Sequence, residues 1–165
     1  MFKKLIVVFL MCYNGSAFAD TIGVRYANQV PVNLEIGEGI GQYGGKALEG
    51  VYTHDFIKGL YGEIAGGEYY KADFDASTSF IGESSLGIRV ETPTVFLGIS
   101  QGIVYMPNVP MMTEREYATH IELGLQDSVT GIRIAFEQSH YSNGKSTGKN
   151  NGMNMSGIVI SVLIH

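Results

Sequence analysis

The 165-residue sequence predicts an all-β fold, an eight-stranded antiparallel up-and-down transmembrane β-barrel. Three observations carry this reading. Apolar residues alternate with polar or small ones over successive segments of roughly 10 to 13 residues, long enough for a tilted strand to cross a bilayer. The connections between these segments alternate short and long, as the periplasmic turns and outer loops of such barrels do. Composition agrees: 22 glycines, 10 tyrosines and no tryptophan suit strands better than helices, and beyond the first residues no apolar run reaches the roughly 18 needed for a membrane helix.

The chain opens with Lys3 and Lys4, an apolar run from Leu5 to Tyr13, and Ala17-Phe18-Ala19 before Asp20. This is the pattern of a secretory signal peptide over 1–19 with an A-x-A cleavage site, leaving an outer-membrane barrel over 20–165. The only cysteine, Cys12, lies within that leader, so the mature chain offers no disulfide and no cysteine metal site. Loss of Lys3 and Lys4 takes the 11 basic residues to 9 against 16 acidic ones, a formal charge of −7. No basic cluster is present to track a nucleic-acid backbone, so nucleic acid is not an expected partner.

In chain order, 21–31 reads as a lead-in and 32–42 as the first strand, with Val32, Leu34, Ile36 and Ile40 on one parity and glycines opposite. A weaker second strand covers 47–56, and Lys58-Gly59 turns the chain into a third over 60–71. Ser79–Glu91 is the fourth. Thr92-Pro93 breaks it from the fifth, 94–106. Arg115–Gln126 is the sixth, 131–142 the seventh and 154–164 the eighth. All four prolines, at 31, 93, 107 and 110, fall between strands, where a missing N–H costs no ladder hydrogen bond.

Parity places Glu63, Glu83, Glu122, Arg89 and Arg133 inward, where a narrow eight-stranded interior would hold them as paired charges. Tyr61, Tyr69, Tyr70, Tyr105 and Tyr141 lie near strand ends, as an interfacial girdle requires. A soluble lipocalin-like barrel with the apolar parity inward shares the alternation, but the strand lengths favour a membrane span. Gly39 to Gly44 fits G-x-G-x-x-G by letter. It is set aside because the dinucleotide fingerprint needs a following helix. His54 and His120 stand alone, without ligand-like spacing, and neither a metal site nor a cofactor is expected.

The seventh strand carries the chemistry. Its apolar parity, Ile132, Ile134 and Phe136, ends in His140 and Ser142. Residues two apart on a strand share a face, so an imidazole and a hydroxyl stand side by side, as a base and its nucleophile must. The plain structural alternative is a strand running out of the membrane into a polar loop. Glu137, the nearest acid in sequence, lies on the opposite parity and should face the lumen.

His140-x-Ser142-Asn143, followed after six residues by Asn150-x-Gly152, resembles the outer-membrane lipid A 3-O-deacylases, the PagL family. The resemblance is specific over 139–154 and architectural elsewhere. It implies a carboxylic ester hydrolase that removes an ester-linked acyl chain from lipid A of lipopolysaccharide. His140 would be the base and Ser142 the nucleophile. Asn143 and Asn150 would be the motif asparagines, with Asn150 and Gly152 on the substrate and oxyanion side. Where the family carries the acid that orients the histidine, this chain has Asn154. An amide can hold an imidazole in one tautomer but cannot stabilise the imidazolium by charge. The expected partners are therefore lipid A and the bilayer, with a homodimer left open. The competing reading is a non-catalytic structural or adhesive barrel, with the loop MPNVPMM at 106–112 as a binding element.

Overall fold

A computed structural model describes residues 20–30, 45–70, 79–107, 115–142 and 152–164. Eight strands form a closed antiparallel barrel in sequence order, β1 (Asp20–Val30), β2 (Lys46–Ile57), β3 (Leu60–Tyr70), β4 (Ser79–Glu91), β5 (Val95–Tyr105), β6 (Arg115–Gln126), β7 (Ile132–Ser142) and β8 (Met153–Ile164). Closure of β8 onto β1 removes any sheet edge, so every strand has a ladder on both sides.

The first strand is displaced from its expected position. Asp20–Val30, the expected lead-in, is β1, whereas the expected strand over 32–42 lies outside the described residues, as do the leader over 1–19 and the glycine run from 39 to 44. The β1 sequence DTIGVRYANQV does alternate: Ile22, Val24 and Tyr26 are exposed, while Thr21, Arg25 and Ala27 are buried. Its signal is weak because only three large apolar residues mark the outer face and a charged Arg25 sits on the inner one. The other seven strands fall within one residue of their expected bounds.

The tight connections lie at one end. Gly59 and Gly131, with φ of 84° and 72°, take the left-handed conformations that those turns need and that other residues resist. In the second of these turns, Asp127 accepts hydrogen bonds from Thr130 Oγ1 at 2.7 Å and from the Val129 amide at 3.0 Å. These hold its carboxyl below the usual range, the Thr130 bond foremost. The strand ends Asp20 and Ile164 pair at this same end.

Outward positions are apolar on all eight strands, among them Val24, Leu48, Ile64, Leu86, Leu97, Leu123, Phe136 and Ile160. Inward positions are charged and aromatic. Arg25 is the hub of an upper lumenal cluster: its guanidinium bonds Glu63 and lies 2.9 Å from Glu137, 3.5 Å from Glu49 and 3.8 Å from Glu83. His120 bridges Glu83 and Glu137 beside it, 3.2 Å from the latter. A lower cluster pairs Arg89 with Glu122 at 3.0 Å and Asp55 at 3.5 Å, and Arg133 with Glu91 at 3.2 Å. Buried ions demand such partners, because an orphaned charge in the interior costs about 3–5 kcal/mol. A cavity in the lower lumen measures about 20 Å³, room for roughly one water. At that level the interior is packed rather than open.

Two expectations are corrected here. Tyr61, Tyr69 and Tyr141 are at most 2% exposed and point inward; Tyr61 lies under the Arg89 guanidinium at 4.2 Å. Tyr70 and Tyr105 do face outward as expected, joined by Tyr26, Tyr52 and Tyr117. His54 and His120 do not stand alone either: His120 is held by the upper cluster, and His54 Nδ1 lies 2.6 Å from Asp20 Oδ1.

One ladder line locates the site. Starting from Asp20, paired residues run through His54, Gly62, Leu86, Gln101, Thr119, His140 and Asn154, and return to β1 at Val30. A circuit of the barrel thus climbs ten residues along β1, from 20 to 30. This is the stagger that closure of tilted strands imposes. From Asp20 to Asn154 the line is outward-facing, with His54 near the short-turn rim and His140 near the opposite one.

Candidate active site

His140 sits on the outer face of β7, above Ile132, Ile134 and Phe136, and is exposed. Its cross-strand partner on β8 is Asn154. The side chains meet there, with His140 Nδ1 and Asn154 Oδ1 2.6 Å apart. An amide oxygen only accepts, so Nδ1 donates and Nε2 keeps its lone pair. That is the tautomer a general base needs, and Asn154 fixes it without a charge.

Ser142 follows on the same outward parity, half-buried, opposite Tyr117 of β6. Gly152, just before β8, borders the imidazole: a Cβ built there would stand 2.8 Å from His140 Cε1 and 3.3 Å from Nε2. Absence of a side chain at 152 keeps the lone-pair edge of the ring open. The expected site residues His140, Ser142, Gly152 and Asn154 therefore gather at one patch of the outer rim, while Asn143 and Asn150 lie outside the described residues.

Two residues deeper, Gln138 and Ser156 form a second polar rung. Ser156 Oγ donates to Gln138 Oε1 at 2.6 Å, and Gln138 Nε2 donates to the Met155 carbonyl at 3.0 Å. This rung locks the spacing of β7 and β8 beneath the imidazole. On the other side Thr119 stands directly opposite His140. Sequence reasoning singled out none of these three. Their outward parity was the available signal, and it becomes meaningful only once β6, β7 and β8 are in register.

Behind this patch the same strand faces the lumen, with Glu137, Ser139 and Tyr141 all buried. Ser139 Oγ donates to Glu137 Oε1 at 2.8 Å and lies 2.9 Å from His120 Nδ1, and His120 Nε2 contacts Glu83. By composition this is a Ser-His-Glu set. However, Ser139 and His120 are each 2% exposed, so the set has no access to substrate and serves as bracing. Glu137 belongs to it, as parity required, and cannot orient His140.

Comparison with known proteins agrees with this architecture. The family model described as lipid A 3-O-deacylase (PagL) matches residues 22–162. Among solved structures, the outer membrane enzyme PagL superposes with a TM-score of 0.61 at 15% identity, covering 88% of this chain and 100% of that one. A de novo designed transmembrane β-barrel gives 0.62 at 10% identity, covering 91% and 98%. The N-terminal β-barrel domain of Pseudomonas aeruginosa OprF gives 0.57 at 11% identity, covering 90% and 100%. No curated protein sequence matches the chain.

Proposed function

Because the chain belongs to the lipid A 3-O-deacylase (PagL) family and folds as an outer-membrane barrel, we propose that it is a serine esterase acting on the acyl ester of lipid A, with its catalytic groups on the outer wall. The observation that carries this reading is the 2.6 Å contact between His140 Nδ1 and Asn154 Oδ1, on the face that also presents Ser142. His140 Nε2 takes the Ser142 proton as Oγ attacks the ester carbonyl. The tetrahedral oxyanion collapses, the sugar alkoxide leaves with the proton returned by His140, and Ser142 holds the acyl group. Water, deprotonated by the same nitrogen, then releases the 3-hydroxy fatty acid. Asn143 and Asn150 would serve the substrate and the oxyanion, and oxyanion stabilisation is often the largest part of such catalysis.

The depth of the site supports this chemistry. The ester of an outer-leaflet lipid lies where acyl tails meet headgroups, and the patch lies where the apolar run Ile132–Phe136 gives way to polar side chains. The test is mass spectrometry of lipid A from cells carrying the protein, its Ser142→Ala variant, or neither. Loss of one hydroxyacyl mass with the native serine alone is expected. An equal loss with Ser142→Ala overturns the nucleophile assignment, and an unchanged profile in all three favours a non-catalytic barrel.

A further inference from the structure

Gln138 and Ser156 form the lowest polar rung on the outer side of β7 and β8, directly above the apolar pair Phe136 and Ile158 and directly below His140 and Asn154. Resting on the esterase reading above, we propose that Gln138 is a positioning residue of that site. It grips β8 just below Asn154, and the grip lets an uncharged amide hold His140 in the tautomer a base needs.

The two strands are anchored unequally. On β7 the inward side chains around His140 are tied to the lumen. Glu137 lies 2.9 Å from the Arg25 guanidinium, Ser139 Oγ donates to Glu137 at 2.8 Å, and the Tyr141 ring packs edge-on against His120 at 5.9 Å. On β8 the residues paired with Ser139 and Tyr141 are Met155 and Met153, buried in an apolar cluster. Thioethers on flexible stems fill space but fix no direction. The other edge of β8 pairs here with 28–30, the last residues of β1, so that neighbour ends at the same level. Strand ends open locally at little cost, and Asn154 is the second residue of β8.

Gln138 closes that end. Its Nε2 donates to the Met155 carbonyl at 3.0 Å and its Oε1 accepts from Ser156 Oγ at 2.6 Å. One side chain thus holds β8 at both positions that follow Asn154. The rung faces the bilayer side, where little water competes for these bonds and a broken one is left unsatisfied. A site with a neutral orienting group needs such a clamp more than one with a carboxylate. A hydrogen bond between neutral groups is about half as strong as one to an ion. An amide also has two ends. Turned over, Asn154 would present Nδ2–H to the ring, Nδ1 would have to accept, and the proton would sit on Nε2, which is then no base.

The test uses the whole barrel in detergent micelles and compares the native chain with Gln138→Leu/Ser156→Ala and with Ser156→Thr. Removing both partners leaves an apolar pair on a lipid-facing wall, so the unfolding midpoint in urea is expected to hold. The kcat on lipopolysaccharide is expected to fall about three- to tenfold in the double variant, the worth of one neutral hydrogen bond, with KM little changed. Ser156→Thr keeps the hydroxyl and should stay close to native. In an Asn154→Asp background, where charge holds the ring, the double substitution should cost about twofold or less. An equal loss there makes the rung a general structural support and overturns the proposal, as does an undiminished kcat in the double variant. A second arm does not depend on turnover. The ring nitrogen chemical shifts of His140 in labelled protein, assigned by their loss in His140→Gln, report its tautomer where the ring is neutral. The native barrel is expected to show Nδ1 protonated and Nε2 bare, and in the double variant the two shifts should move towards each other. Native shifts in the double variant overturn the proposal even where kcat has dropped. Should the double variant not fold, Ser156→Ala alone carries both readouts with the same sign. If the native protein releases no fatty acid, the esterase reading fails while the ring shifts still decide whether Gln138 positions His140.

Discussion

Among the described residues two histidines face outward, one towards each rim of a single ladder line, and each has Nδ1 2.6 Å from an oxygen acceptor across a strand pair. At the short-turn rim the acceptor is the carboxylate of Asp20, which also takes a hydrogen bond from the Tyr52 hydroxyl at 2.8 Å. At the opposite rim it is the neutral amide of Asn154. His54 thus has the charged orienting partner, yet its surroundings give it nothing to deprotonate. Its neighbours on the outward parity are Tyr52, whose hydroxyl is committed to Asp20, and Phe56, whose ring packs edge-on at 4.9 Å. His140 has Ser142 next on its face and Gly152 beside its free nitrogen. What sets the proposed site apart from the other rim is thus less its orienting group than a hydroxyl and an open edge on the lone-pair side.

The largest effect should separate the two rims outright. His140→Ala is expected to abolish deacylation by four or more orders of magnitude, comparable to loss of the base in serine hydrolases, whereas His54→Ala should change it less than twofold. Release of hydroxy fatty acid from purified lipopolysaccharide measures both. A comparable loss in His54→Ala would break the comparison.

Next comes an exchange of acceptors. Asn154→Asp gives His140 the kind of partner that His54 already has, and a carboxylate can stabilise the imidazolium formed during attack. The acid-to-amide change in serine proteases lowers kcat by about 10⁴. The reverse change on this barrel should raise kcat about ten- to a thousandfold with little effect on KM. A fall in kcat would mean that the site has been built around the amide.

Gly152→Ala probes the open edge. With a Cβ 2.8 Å from His140 Cε1, kcat should drop about tenfold, equivalent to roughly 1.4 kcal/mol, while the unfolding midpoint in urea stays nearly constant. The smallest effect belongs to the short-turn rim. Asp127, exposed in the β6–β7 turn, has its carboxyl held down by Thr130 and Val129. A depressed folded-state value contributes order above the unfolded carboxylate range and loses it as pH falls through the depressed value. The protection of the Val129 amide against exchange, taken relative to the intrinsic rate at each pH, should therefore fall on acidification below the ordinary aspartate range. A pH-independent protection would remove the carboxylate from the account of that turn.

Much of this was legible in the chain. Seven strands, the inward charges and the outward placing of His140 and Ser142 all follow from period-two alternation, a local property. Pairings across the barrel were not legible. Asp20 and His54 are 34 positions apart and meet only because β1 and β2 pair in one register. Arg25, the hub of the upper cluster, hid in a strand whose alternation was short, while the cleaner pattern over 32–42 drew the assignment. Tyr61, Tyr69 and Tyr141 looked like rim residues because their positions lie near strand ends. Each falls on the inner parity, and the ring follows parity. Asn154 was readable as the orienting group only through family resemblance, since its side chain must cross from β8 to reach the imidazole.

The outward position of the proposed site has a kinetic corollary. With His140 and Ser142 on the outward parity of β7, lipid would arrive sideways, by diffusion in the plane of the leaflet. Turnover should then follow the mole fraction of substrate at the interface rather than its concentration in the buffer. Adding inert detergent at fixed enzyme and lipid should slow the reaction by surface dilution alone, and constants obtained in micelles should be compared only at equal interfacial composition.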